Sequence, residues 1–219
     1  MSFPVQRVLV ALFLFALSPS LGCKSESNEI MSPVASGRDL TENDERAILG
    51  IALVRGALGH KPVVADKTMP ESLTARRIVV ADVVDALAAK GALRRIDKGL
   101  VGKLVANVNG LMKTPRSIPR SVLGGGQSGL MDVDEIISAL RGCTNGEDAS
   151  LACGWNKISM RFPESDSVVL LSRVGSVGKH ALVYLELYCE RACGKGRLFF
   201  LENQEGSWQM VESVGIWDR

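Results

Sequence analysis

Between Ser165 and Trp217 the chain offers four apolar runs in succession: VVLLSRVG from Val168, HALVYLELYC from His180, GRLFFLEN from Gly196 and SWQMVESVGIW from Ser207. Each is closed by a turn bearing Gly, Asn or Cys. Runs of this length, rich in β-branched and aromatic residues, read as strands. A parallel return needs a long crossover, so strands joined by a few residues must pair antiparallel with their neighbours. The reading is an antiparallel meander over 165–218. Alternation along the second run puts Leu182, Tyr184, Glu186 and Tyr188 on one face and Ala181, Val183, Leu185, Leu187 and Cys189 on the other. Both faces carry apolar groups, so one should receive helices from the first half. The other mixes rings with a carboxylate, which makes Tyr184, Glu186 and Tyr188, with His180 at the strand's start, the expected open and ligand-facing set.

Helical signals fill residues 41–142. Thr41 with Asp44 and Glu45 reads as an N-terminal cap, with Ala47, Ile51, Val54 and Leu58 at helical spacing behind it and Gly59 as a stop. Lys61–Thr68 is a short extended run in which Pro62 suits a first or edge position. A helix is expected over Val80–Lys90, and another from Asp97 through Val108, ended by Asn109-Gly110. Met112–Gly129 reads as loop with one short strand at Ser121–Leu123. Asp132 and Glu135 then cap a helix to Leu140. The expected fold class is α+β, a single domain over 41–219 with N-terminal helices packed on a C-terminal meander of about four strands.

The first residues read as an address. Met1–Gly22 carries one charge, Arg7, then an apolar run from Val8 to Leu17 that is half the roughly twenty residues a membrane-crossing helix needs. That is the pattern of a signal peptide. Ser20-Leu21-Gly22-Cys23 resembles the lipobox of bacterial lipoproteins, although that family usually has Leu where Ser20 stands. The resemblance implies cleavage before Cys23, which would then carry a thioether-linked diacylglycerol and an amide-linked acyl chain such as palmitate. A plain secretory signal, with Cys23 as an odd thiol, is the alternative. Lys24 stands where lipoproteins kept in an inner membrane carry Asp, which points to the periplasmic face of an outer membrane. Residues 23–40 are polar, hold Pro33 and Gly37, and read as a tether between lipid and domain.

Charge narrows the partners. The chain has 26 basic and 24 acidic residues, and only Arg7 falls in the first 22, so the remainder is nearly neutral. No nucleic-acid footprint is visible in that balance.

Cys143, Cys153, Cys189 and Cys193 are an even set in a chain read as exported, where disulfides persist. Neighbour pairing, Cys143 with Cys153 and Cys189 with Cys193, is the expected connectivity. A zinc site is disfavoured because the spacing between Cys143 and Cys153 is too long for a finger-like pair. A redox role is disfavoured because C-E-R-A-C is not C-x-x-C.

From Trp155 onward the order and spacing of motifs resemble a loosely defined set of exported bacterial proteins. These residues are GWNKISMRFPESDS before the meander, the Cys193-Gly194 hairpin, Gly206-x-Trp208 and the terminal Trp217. The opening LTENDER through KPVVADKT is similar as well. The resemblance implies a shared fold and carries no activity. EGSWQMVES also looks like the closing strands of nuclear-transport-factor-like α+β proteins, whose sheet and helices enclose a cavity. Fold analogy does not carry function.

No catalytic constellation is recognised. The run Gly124–Gly129 holds the letters of G-x-G-x-x-G, but the next helix opens on Asp132, Asp134 and Glu135, which would repel phosphate. Ser128 lacks the second glycine of a nucleophile elbow. His60 and His180 are the only histidines; His60 suits a helix end, and His180 is a general base only if a carboxylate such as Glu186 orients it. No cofactor or metal is expected. The reading is a non-enzymatic envelope lipoprotein, bound to the membrane by its lipid, that takes a protein or small-molecule partner. The alternatives are a small exported hydrolase with a pocket on the sheet, and a purely structural module.

Overall fold

Thr41 caps the first helix as the Thr-x-x-Asp pattern dictates. In the computed structural model, which describes residues 40–70, 78–123, 129–141, 152–189 and 193–218, the Thr41 hydroxyl oxygen accepts from Asp44 N at 3.1 Å while Asp44 Oδ2 takes the Thr41 N–H. Behind this capping box α1 runs Glu42–Gly56. The other helices are α2 (Val80–Ala89), α3 (Lys98–Leu111, capped by Asp97), α4 (Val133–Arg141) and α5 (Ala152–Arg161). None of the described helices is long and apolar enough to cross a membrane.

The strands are β1 (Pro62–Ala65), β2 (Gly129–Met131), β3 (Ser167–Leu171), β4 (Gly175–Val177), β5 (His180–Cys189), β6 (Gly194–Gln204) and β7 (Ser207–Asp218). From β3 onward they form the expected meander, with β3 and β4 lying end to end against β5 and two-residue turns at Gly178-Lys179 and Glu205-Gly206. The second turn has positive φ at both positions, +52° and +90°, the type I′ geometry that matches strand twist.

The sheet is larger than four strands and mixed. β1 lies between β2 and β3 and is parallel to both, so the order is β2-β1-β3-β5-β6-β7. All four β1 residues are buried, which is what an interior parallel strand requires of its side chains. Pro62 is therefore the first residue of an interior strand, where its missing N–H is tolerated. Ser121–Leu123 is not a strand: Arg120–Val122 form a 3-10 turn whose Val122 drops into the core. Asn109-Gly110 lies inside α3, which runs on to Leu111, and the Asn109 side-chain amide donates to Ile78 O at 3.0 Å. α1 ends at Gly56, three residues before Gly59.

Both sheet faces are covered. Leu182, Tyr184, Leu198 and Phe200 join Val83, Leu87, Leu104, Val108, Ile136 and Ile158 from α2 to α5 in one core. Val183, Leu185, Phe199 and Leu201 join Ile48, Leu49, Ala52 and Leu53 of α1 in the other. The Tyr184-Glu186-Tyr188 face, expected to be open, thus lies under four helices. At about 25 cal/mol per Å2, burying apolar surface on both faces outweighs leaving one side for solvent once a chain supplies enough amphipathic helix.

Candidate functional site

Three residues of the expected ligand-facing set meet, and a fourth joins them. Glu186, 5% exposed, sits mid-strand on β5. Its Oε1 accepts from the Tyr184 hydroxyl at 2.9 Å and its Oε2 from the Tyr188 hydroxyl at 2.8 Å. Trp217 Nε1 on β7 donates to Tyr184 Oη at 2.7 Å, and its ring centroid lies 5.7 Å from that of Tyr188. The register explains the meeting. Gly196 is the cross-strand partner of both Glu186 and Trp217, and Gly194 that of Tyr188. A Cβ on Gly196 would collide with Trp217 Nε1 and Tyr184 Oη, and one on Gly194 would stand 2.8 Å from Trp217 Cζ3. The two glycines clear the floor on which the indole lies, a known use of glycine beneath an aromatic side chain.

The electrostatics keep the Tyr184 phenol protonated. Burial first, then the Glu186 charge beside it, push the Tyr184 phenol far above its ordinary value. Tyr184, 1% exposed, therefore holds its proton and donates it to Glu186. A carboxylate fed by two phenols beneath a helical layer positions strands against one another.

His180 is not part of this group. It shares the strand face of Glu186 but stands six residues away, about 20 Å along an extended strand. Its cross-strand partner is Glu202, which also pairs with Lys179. Hydrogen bonds from Lys179 first, then Gln204, lower the Glu202 carboxyl below its ordinary value. His60 Nδ1 lies 3.5 Å from Asp166 Oδ1, an oxygen that already accepts from Lys61 N and Ser167 Oγ, both at 2.9 Å.

Cys189 and Cys193 are paired across the β5–β6 hairpin with Cα atoms 5.2 Å apart, within the range a disulfide spans. Cys143, and with it the expected bridge to Cys153, lies outside the described residues, as do Cys23 and most of the Gly124–Gly129 run. The first turn of α4 is occupied by its own carboxylate: Asp132 Oδ1 accepts from Asp134 N and Glu135 N at 2.9 and 3.1 Å. Among the described residues no three His, Cys, Asp or Glu side chains are grouped to hold a metal ion.

α1 also has an outward side. Its spacing offers two apolar stripes. The sheet takes Ile48, Leu49, Ala52, Leu53 and Gly56, because Gly56 lets the helix settle against Leu185. Of the residues read at helical spacing, Val54 is 52% exposed and Leu58, past the helix end, 73%, while Ile51 is half-buried against the core on the α1 side of the sheet. Ala47, Gly50, Ile51, Val54 and Arg55 form one wall of a groove of about 620 Å3 whose other wall is Trp208, Gln209 and Met210 at the start of β7. Trp208 Nε1 donates to Asp44 Oδ1 at 2.8 Å, which fixes that wall to the first turn of α1. No family model, curated protein or solved structure matches the chain.

Proposed function

We propose that this chain is an exported, non-enzymatic envelope lipoprotein, anchored through Cys23, whose α1/β7 groove binds a protein partner. The observation that carries the binding role is the second apolar stripe of α1. A helix that is apolar on opposite sides needs cover on both, and exposed aliphatic side chains bordering a concave surface mark interaction sites in soluble domains. The acidic and aromatic groups on the sheet support the same reading from the other side. Glu186 is buried and accepts from Tyr184 and Tyr188, and His180 is six residues from it, so among the described residues the pair weighed for a hydrolase is not brought together.

Two measurements test the proposal. The N-terminal peptide released from the envelope protein should have the mass of a cysteine carrying diacylglycerol and an acyl chain; an unmodified terminus starting elsewhere than Cys23 rejects the anchor. In native gels of detergent-solubilised envelopes, the parent chain should run in a complex that Val54→Glu loses, while unfolding stays within about 0.5 kcal/mol of the parent, as for an exposed site. Identical migration of the two chains refutes groove binding.

A further inference from the structure

β7 is the last strand of the sheet: β6 lies on one side of it, and among the described residues no strand lies on the other. It is twelve residues long, and Trp208, Met210, Val211, Val214, Ile216 and Trp217 make it largely apolar. A long apolar edge with open main-chain groups is a template for a further strand. We infer that Lys90 and Glu212 form a plug on this edge, which keeps β7 from pairing with β7 of a second copy of the chain.

The plug sits at Ser213. Its N–H donates to Glu212 Oε1 at 3.0 Å and its carbonyl oxygen accepts from Lys90 Nζ at 2.6 Å, while Lys90 Nζ lies 3.7 Å from the same Glu212 oxygen. A residue whose N–H and C=O both go to side chains occupies a non-hydrogen-bonded position of the β6–β7 ladder, here opposite Phe199, and turns both groups away from β6. Those are the groups an incoming strand would have to bond. Lys90 reaches them from the C-terminal cap of α2, where a cation also complements the helix dipole. The ladder adds a second obstacle. β7 carries one residue more than β6 at Val211 and again at Ile216, and such bulges bend an edge strand away from the line a neighbour needs. Ser213 lies in the regular run between them, so a strand following β7 must displace Lys90 and Glu212 together. Hydrogen bonds to charged groups are the strong kind, and like charges on two copies meeting edge to edge would repel at this point.

The test follows self-association of the purified full chain in detergent by sedimentation velocity. Either charge alone would still hold two copies apart, so both are removed: Lys90→Met with Glu212→Thr should self-associate at least about ten-fold more tightly than the parent. Adding Ser213→Pro should return that variant to the parent's behaviour, because proline takes the N–H away and sets its ring on the outward side, a placement that sheet edges tolerate. Hydrogen exchange checks the site without the proline: in the associated double variant the amides of 207–218 should be protected beyond those of the parent. Parent-like sedimentation of the double variant overturns the inference. So does association that Ser213→Pro leaves intact in a folded chain, or that leaves exchange over 207–218 unchanged, since either places the contact elsewhere than the β7 edge.

Discussion

Gly196 is the position where one added carbon should tell most. In Gly196→Ala the new methyl cannot coexist with the indole of Trp217 or the hydroxyl of Tyr184, so the indole must leave the floor of the sheet. Overpacking of this kind costs about 1–3 kcal/mol. Losing the Trp217 to Tyr184 hydrogen bond adds about 1 kcal/mol. The expected destabilisation is about 2–4 kcal/mol, which for a domain of this size lowers the unfolding midpoint by about 5–15 °C. Thermal unfolding followed by circular dichroism measures the loss, and tryptophan emission, shifted to the red as Trp217 becomes wetter, reports its cause. A double-mutant cycle separates clash from strand propensity: in a Trp217→Ala background the same glycine replacement should cost less than about 1 kcal/mol. Equal costs in the two backgrounds would mean that the glycines serve the strand and not the indole, and the account of the cluster would be wrong.

The other predictions concern the groups around it and the second buried charge. Tyr184 has a raised folded pKa, so above the ordinary phenol value of about 10 the unfolded chain loses a proton that the folded chain keeps. Stability should therefore fall as pH rises past about 10, by up to about 1.4 kcal/mol per unit relative to Tyr184→Phe, and parallel curves for the two chains would contradict it. Glu186→Leu leaves the Tyr184 and Tyr188 hydroxyls without their acceptor, and urea unfolding should show a loss of about 2–4 kcal/mol; a neutral result would mean that other acceptors take over. Arg173, buried on the segment after β3, donates to Glu45 Oε1 and to Thr114 O, each at 3.0 Å. Arg173→Met strands the Glu45 charge, so a loss of about 3–5 kcal/mol is expected in the same assay, less any share that Arg116, 3.4 Å from Glu45 Oε2, takes up.

Much of this architecture was legible because the signals were local. Thr41 and Asp44 cap α1 from three residues apart, and Glu205-Gly206 closes the last hairpin with no help from elsewhere. The partners of β1 were not legible. Val63 pairs with Gly129 on one side and Val168 on the other, and nothing within the run Pro62–Ala65 names a segment that distant. The helix over Ala152–Arg161 was hidden by Gly154, Asn156 and Ser159, weak formers whose cost is met by burying Trp155 and Ile158. The alternation along β5 put Tyr184, Glu186 and Tyr188 on one face, but it could not add Trp217. The β6–β7 register shifts between Gly196 and Arg197, and such a slip decides which residue of β7 comes to lie over the glycines.

For α1 the ambiguity is itself informative. Periodicity identifies stripes and not destinations, and a helix with one stripe has a single way to pack. Ala47-Ile51-Val54-Leu58 and Ile48-Leu49-Ala52-Leu53 compete for the sheet on similar apolar terms, and the second wins because Gly56 continues it and lets the backbone settle against Leu185. Filling Gly56 would tax the winning side: in Gly56→Ala the new Cβ would lie 2.5 Å from Leu185 Cδ1 and 3.0 Å from its Cδ2. Val54 and Leu58 stay aliphatic at exposed positions, where polar residues would cost the fold little. Exposed aliphatic side chains bordering a groove are the physical ground on which the α1 side, and not the largely buried Glu186 cluster, is proposed for recognition.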